Sequence, residues 1–152
     1  MLNAEEKKLL VEFFAFFNLA ESQIEINDAG ETVIITLAVD PQDTGRFIGR
    51  FATTLDSLQL IVSLMLNNGK DVHRHFQVDV GGYRAEREES LQSLADQAAE
   101  EVEKTGLPHA LPPLSATDRR QIHLLFQDHA TLTTYSEGEG IDRRLVIAPK
   151  TA

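Results

Sequence analysis

Residues 43–59 read DTGRFIGRFATTLDSLQ. Two glycines, Gly45 and Gly49, and two arginines, Arg46 and Arg50, fall within six positions directly before the most apolar helix-forming run of the chain. A plain turn needs one glycine. Small residues at both ends of Gly49-Arg50-Phe51-Ala52 let backbone approach a ligand closely. The helix that follows offers unpaired N–H groups and the positive end of its dipole. Arg46 and Arg50 add charge, so the stretch suits a phosphate backbone. A tight turn between two helices with solvated arginines has the same local pattern.

The flanking sequence places this loop. Residues 3–18 put Leu10, Phe13, Phe14 and Phe17 on one helical face, read as a core-packing face. Two strands follow, the first with Ile24 and Ile26 alternating, the second with Val33, Ile35, Leu37 and Val39. Asp28-Ala29-Gly30 between them is a hairpin signal. Residues 44–48 suit a short helix. The next helix is predicted from about Thr53 to Asn67, with Thr53 and Asp56 at capping-box spacing and Leu55, Leu58, Ile61, Val62, Met65 and Leu66 as a largely buried set. Gly69 is placed to cap its end. A third strand carries Phe76, Val78 and Val80, and Gly81-Gly82 breaks it.

A long helix is predicted over residues 83–104, with Leu91, Leu94, Ala95, Ala98 and Val102 as its stripe and Gly106 and Pro108 as its stop. LPHALPPL, residues 107–114, reads as an extended segment. Residues 115–128 read as a helix, with Ser115 and Asp118 at capping spacing. Residues 131–136 and 143–148 read as strands around the turn EGEGID. The long helix is expected to join two small units that pack on each other.

Composition narrows the function classes. Apolar residues make up 42% of the 152, enough for a globular core. No apolar run reaches the length of a membrane span, so no membrane insertion is expected. The N-terminal stretch lacks a small-residue cleavage site and does not read as a signal peptide. The absence of cysteine excludes disulfides, thiolate metal sites and thiol catalysis and fits a cytoplasmic location. The net charge of −10 argues against an ordinary basic nucleic-acid binder. Residues 1–80 hold 6 basic and 12 acidic side chains and residues 81–152 hold 8 and 12, so neither half is basic. The arginines nevertheless gather at Arg46/Arg50, Arg119/Arg120 and Arg143/Arg144.

The helix TDRRQIHLLFQDH sets Arg119, His123 and Gln127 at successive turns, with Arg120 beside them and Ile122, Leu125 and Phe126 as the buried face. An arginine and a histidine one turn apart can grip one phosphate with several donors. A solvated helix face gives the same spacing. Arg143-Arg144 reads equally as a phosphate contact or as part of an ion-pair cluster with Glu137 and Glu139. His73-x-His75 lacks a marked third ligand for zinc, so neither metal nor cofactor is expected. No positioned nucleophile or acid pair marks an enzyme.

Taken in order, α-β-β-α-loop-α-β, with Ile48-Gly49-x-x-Ala52 before Thr54-Leu55-x-x-Leu58-Gln59, resembles a KH domain of the type II arrangement. Alanine stands at the last glycine, and Phe51 stands where a second basic residue is usual. Arg119-x-x-x-His123 resembles the signature of the Arg-x-x-x-His domain. The surrounding series is Asp79-x-x-Gly82-Tyr83-Arg84, Lys104-Thr105-Gly106, then Ser136-Glu137-Gly138-Glu139-Gly140 before Arg143-Arg144. Together these resemble the bacterial Jag family (SpoIIIJ-associated, KhpB-type), across residues 5–148.

The resemblance implies an α+β chain. A type II KH-like α-β-β-α-α-β unit, residues 1–82, is followed by a small α/β unit, residues 83–152, with two helices and a short mixed sheet. It implies a cytoplasmic, non-catalytic binder of single-stranded RNA that regulates transcripts, with another KH-type protein or a second copy of itself as a protein partner. The implied contacts are Arg46, Gly49, Arg50, Phe51 and Ala52 in the first unit. In the second they are Arg119, Arg120, His123, Gln127, Arg143 and Arg144. The rival reading, which the acidic charge keeps open, is a protein-interaction module on a KH-like fold with reduced RNA binding.

Overall fold

The first helix, α1, spans Ala4–Ala15. Asn3 starts it with a reciprocal cap: its side chain accepts from the Glu6 N–H at 2.9 Å, and the Glu6 carboxylate accepts from the Asn3 N–H at 2.7 Å. Leu10 and Phe14 are fully buried, and Phe13 and Phe17 pack against the same core. The computed structural model describes residues 1–28 and 30–150. It divides into two compact units, Met1–Arg84 and Ala85–Ala152.

In the first unit β1, Ile24–Asn27, pairs antiparallel with β2, Thr32–Leu37. Of the hairpin connector between them, Ala29 lies outside the described residues. β3, His75–Val80, pairs parallel with β2, so the sheet is mixed in the order β1-β2-β3. Strand alternation sends Val33, Ile35 and Leu37, with Phe76, Val78 and Val80, into one core. Val39 lies past the end of β2 and packs only partly against it. Between β2 and β3 run α2, Thr44–Ile48, a single 3₁₀ turn over Arg50–Ala52, and α3, Thr53–Asn67.

Two expectations for α3 fail. Thr53 and Asp56 form no capping box: the cap position falls on Ala52, and the Thr53 hydroxyl donates back to the Arg50 carbonyl at 2.8 Å. The loop, not a side-chain cap, sets where the helix begins. Ile61 is not core but 42% exposed, beside Leu60 and Leu64, while Leu55, Leu58, Val62 and Leu66 fill the interior. A helix apolar on nearly every face cannot bury all of them against one sheet.

Arg84 closes the first unit. Its Nε donates to the Val78 carbonyl at 3.0 Å and its Nη2 to Gln59 Oε1 at 2.9 Å.

The long helix α4 spans Tyr83–Thr105 and buries Leu91, Ala95, Ala98 and Val102. Gly106, at φ +69°, ends it with its N–H on the Val102 carbonyl. Then come β4, His109–Ala110, α5, Ala116–Leu125, β5, Leu132–Glu137, and β6, Arg144–Pro149. The apolar stripe of α4 joins Ile122, Phe126, Leu132, Leu145 and Ile147 in a second core. The sheet, in the order β4-β6-β5, is antiparallel throughout rather than mixed. The tight turn from β5 to β6 forces that pair, and β4 runs against β6 in the same sense. Leu125, expected in the core, is 43% exposed at the last position of α5. No helix among the described residues is long and apolar enough to cross a membrane.

Candidate nucleic-acid interface

The first candidate site is the loop between α2 and α3. Gly49 closes α2 by donating to the Gly45 carbonyl at 2.8 Å, then turns the chain at φ +73°, ψ 176°. Phe51 (φ +53°) and Ala52 (φ +59°) are both left-handed, a conformation that costs an L-residue roughly 1–2 kcal/mol. The Arg50 carbonyl accepts from the N–H and from the hydroxyl of Thr53, which ties the loop to the start of α3. The Arg50 side chain is exposed, with its guanidinium 5.1 Å from the centre of the half-buried Phe51 ring. A cation over a ring face is held electrostatically. Arg46 is engaged elsewhere: it donates to the Phe17 carbonyl just beyond α1 at 3.4 Å and lies 5.3 Å over the buried Phe47 ring.

Downstream of the loop, α3 presents Leu60, Ile61 and Leu64, exposed by 60%, 42% and 64%. Sequence periodicity missed this face. The available signal was the excess of apolar positions on α3 over what one buried stripe can use.

The second candidate site is built on α5. Ser115 caps that helix, its hydroxyl accepting from the Asp118 N–H at 3.1 Å. The buried Asp118 carboxylate accepts instead from Arg87 Nη2 of α4 at 2.8 Å, which locks α5 to α4. On the other side of α5 lies an open cleft of about 440 Å³, lined by Arg119, Arg120, His123, Thr134, Ser136 and Arg143 among others. His123 Nδ1 and Thr134 Oγ1 lie 2.5 Å apart. Arg119 Nη1 donates to the Leu114 carbonyl at 2.6 Å and to the Arg143 carbonyl at 3.4 Å. Three arginines, a histidine and the hydroxyl-bearing Thr134, Tyr135 and Ser136 thus line one cleft, a donor set suited to phosphate oxygens.

Two expected residues stand outside this cleft. Gln127 lies past the end of α5, exposed, because the helix stops at Leu125. Arg144 sits opposite Glu137 in the β5–β6 ladder, and strand alternation turns it away from the face that carries Leu145. Thr134 and Ser136 were not read from the sequence. They come from a strand whose register with β6, Thr134 opposite Ile147 and Ser136 opposite Leu145, brings them under α5. No group of three or more His, Cys, Asp or Glu among the described residues is placed to hold a metal ion.

Residues 89–149, which contain the whole cleft, match the Arg-x-x-x-His domain family. Over 144 residues the chain is 33% identical to the RNA-binding protein KhpB of Clostridium symbiosum, covering 94% of this chain and 64% of that protein. Over 148 residues it is 30% identical to the RNA-binding protein KhpB of Bacillus subtilis, covering 96% of this chain and 70% of that protein. The chain belongs to the KhpB family. Its span of its relatives differs widely: besides 64% of the first KhpB, it covers 35% of the KhpB of Lactiplantibacillus plantarum, at 33% identity over 113 residues. Within the KhpB family match, the Arg-x-x-x-His domain runs from the second turn of α4 through β6 and leaves the Gly49–Ala52 loop outside it.

Proposed function

We propose that this chain is a non-catalytic single-stranded RNA-binding protein that acts on transcripts after transcription in a bacterial cytoplasm. The observation that carries the reading is the α5 cleft: Arg119, Arg120, His123 and Arg143 converge on one opening despite a net charge of −10. Its relatives are named RNA-binding proteins, and the cleft lies inside the Arg-x-x-x-His domain match. The first unit is read as a KH-like module of the type II arrangement. Its Gly49–Ala52 loop and the head of α3 take the RNA backbone, with Arg50 as the exposed cation and Phe51 as a stacking surface. Arg46, bonded to Phe17, serves mainly to hold α2. Another KH-type protein or a second copy is the protein partner this reading admits.

Single strands are favoured over duplex because a stacking ring and a loop-bound backbone both need unpaired bases. The test is fluorescence anisotropy with unstructured and duplex RNA at several salt concentrations. Tighter binding of the single strand is expected, with a log–log salt slope near −0.7 for each phosphate contact. No binding at low salt would overturn the proposal.

A further inference from the structure

The arginines of the α5 cleft differ in what already holds them. Arg119 is half-buried, and both hydrogens of its Nη1 have a backbone acceptor: the Leu114 carbonyl at 2.6 Å and the Arg143 carbonyl at 3.4 Å. Those two positions are also joined directly, because the Leu114 N–H donates to the Arg143 carbonyl at 3.3 Å. One guanidinium thus closes a ring around the end of the Pro112-Pro113 segment and the residue that leads into β6. Arg120 and Arg143 are exposed, and among the described residues neither side chain has a hydrogen-bond or ion-pair partner.

We propose that Arg119 is a positioning residue, which clamps the Leu114 and Arg143 carbonyls and thereby aims the Arg143 side chain into the cleft, while Arg120 and Arg143 make the phosphate contacts. This rests on the RNA-binding reading given above. The physical basis is the plane of the guanidinium, which fixes the directions of the two Nη1 hydrogens. A planar guanidinium can hold two carbonyls in fixed directions, whereas an ammonium is a point charge on a flexible stem. A clamp therefore needs arginine, and a simple phosphate contact needs only a cation.

The experiment measures affinity for single-stranded oligouridine against salt, by anisotropy, for the full chain and for Arg119→Lys, Arg119→Ala, Arg120→Gln, Arg143→Ala and the Arg119→Ala/Arg143→Ala pair. Loss of one phosphate contact at the stated slope amounts to about fivefold at 0.1 M salt. Arg120→Gln and Arg143→Ala are each expected to lose about that much and to flatten the slope by about 0.7. Arg119→Lys is expected to bind as weakly as Arg119→Ala, although it keeps the charge. The double variant is expected to lie within about twofold of Arg143→Ala, because residues acting through one another are not additive.

Wild-type affinity and slope in Arg119→Lys, or losses that multiply in the double variant, would overturn the clamp. Should Arg119→Ala fail to fold, the comparison of Arg119→Lys with Arg120→Gln decides the point alone. If the unaltered chain does not bind oligouridine at low salt, the RNA reading itself falls. If it binds and Arg120→Gln weakens it, that reading stands whatever the Arg119 variants do.

Discussion

A Cβ at position 49 would stand 2.2 Å from the Thr54 hydroxyl oxygen and 2.9 Å from the Thr54 backbone nitrogen, so Gly49 and Thr54 interlock at the head of α3. The backbone at Gly49, φ +73° with ψ 176°, is also a region that only glycine enters freely. Gly49→Ala is therefore expected to destabilise the first unit by about 2 kcal/mol or more, from backbone strain alone in the range of roughly 1–3 kcal/mol plus the overlap. Trimming Thr54 to alanine should recover little, because of the crowding atoms only the hydroxyl leaves, while the Thr54 Cβ and backbone nitrogen, each 2.9 Å away, stay where they are. Urea denaturation of the variant checks this, and an unchanged midpoint would show that the loop relaxes freely.

Ala52 poses the converse case. It holds a left-handed conformation, φ +59° and ψ 18°, with a side chain that disfavours it. Ala52→Gly removes a strain of roughly 1–2 kcal/mol and adds back roughly 0.5–1 kcal/mol of unfolded-chain entropy. The net expectation is a gain of about 0.5–1 kcal/mol in stability, with RNA affinity equal or slightly higher. A lower denaturation midpoint would contradict it.

These two positions also show where the sequence was legible. The alternation of Val33, Ile35 and Leu37 fixed the sheet face, and Gly49 marked a special backbone site. Nothing in Phe51 or Ala52 signals left-handed geometry, because neither is glycine; the loop imposes it. The same loop displaced the cap expected at Thr53. In the second unit, the spacing of Arg119 and His123 puts them on one face of the helix, and both line the cleft. Gln127 kept the spacing but fell beyond the helix, since periodicity does not report where a helix stops. Thr134 and Ser136 reach the cleft through strand register, which no local pattern in α5 encodes. The roles of the individual arginines were likewise out of reach, because the carbonyls that hold Arg119 belong to residues 114 and 143.

Acid should loosen the first unit. Lys70, bonded to Glu6, holds that carboxyl below its ordinary value of 4.5, and Arg74, bonded to Asp28, holds that one below 3.8. A carboxylate depressed in the folded state contributes stability above its unfolded value and loses it as pH falls toward the folded one. The expected loss therefore begins as pH drops through Glu6's ordinary 4.5 and continues below Asp28's 3.8. Urea midpoints followed from about pH 6 to about pH 3 give the curve, which should be shallower in the Lys70→Ala/Arg74→Ala variant. Equal slopes in the two proteins would remove these pairs from the acid response.

Two weak sites on one polypeptide gain affinity together when a single strand engages both, because the second contact forms at a high effective concentration. A short oligomer that fills one site receives none of that gain. Arg50→Asp places a negative charge at the exposed position of the Gly49–Ala52 loop without touching a buried group. Arg120→Asp does the same on the exposed edge of the α5 cleft. Each is expected to weaken binding of a long single strand far more than binding of an oligomer of a few nucleotides occupying the unaltered site. The two together should bring long and short RNA to similarly weak affinities. Anisotropy titrations over a series of oligouridine lengths provide the measurement. If Arg120→Asp lowers affinity by the same factor at every length, the cleft and the loop do not share a strand. The chain would then hold RNA through one unit at a time.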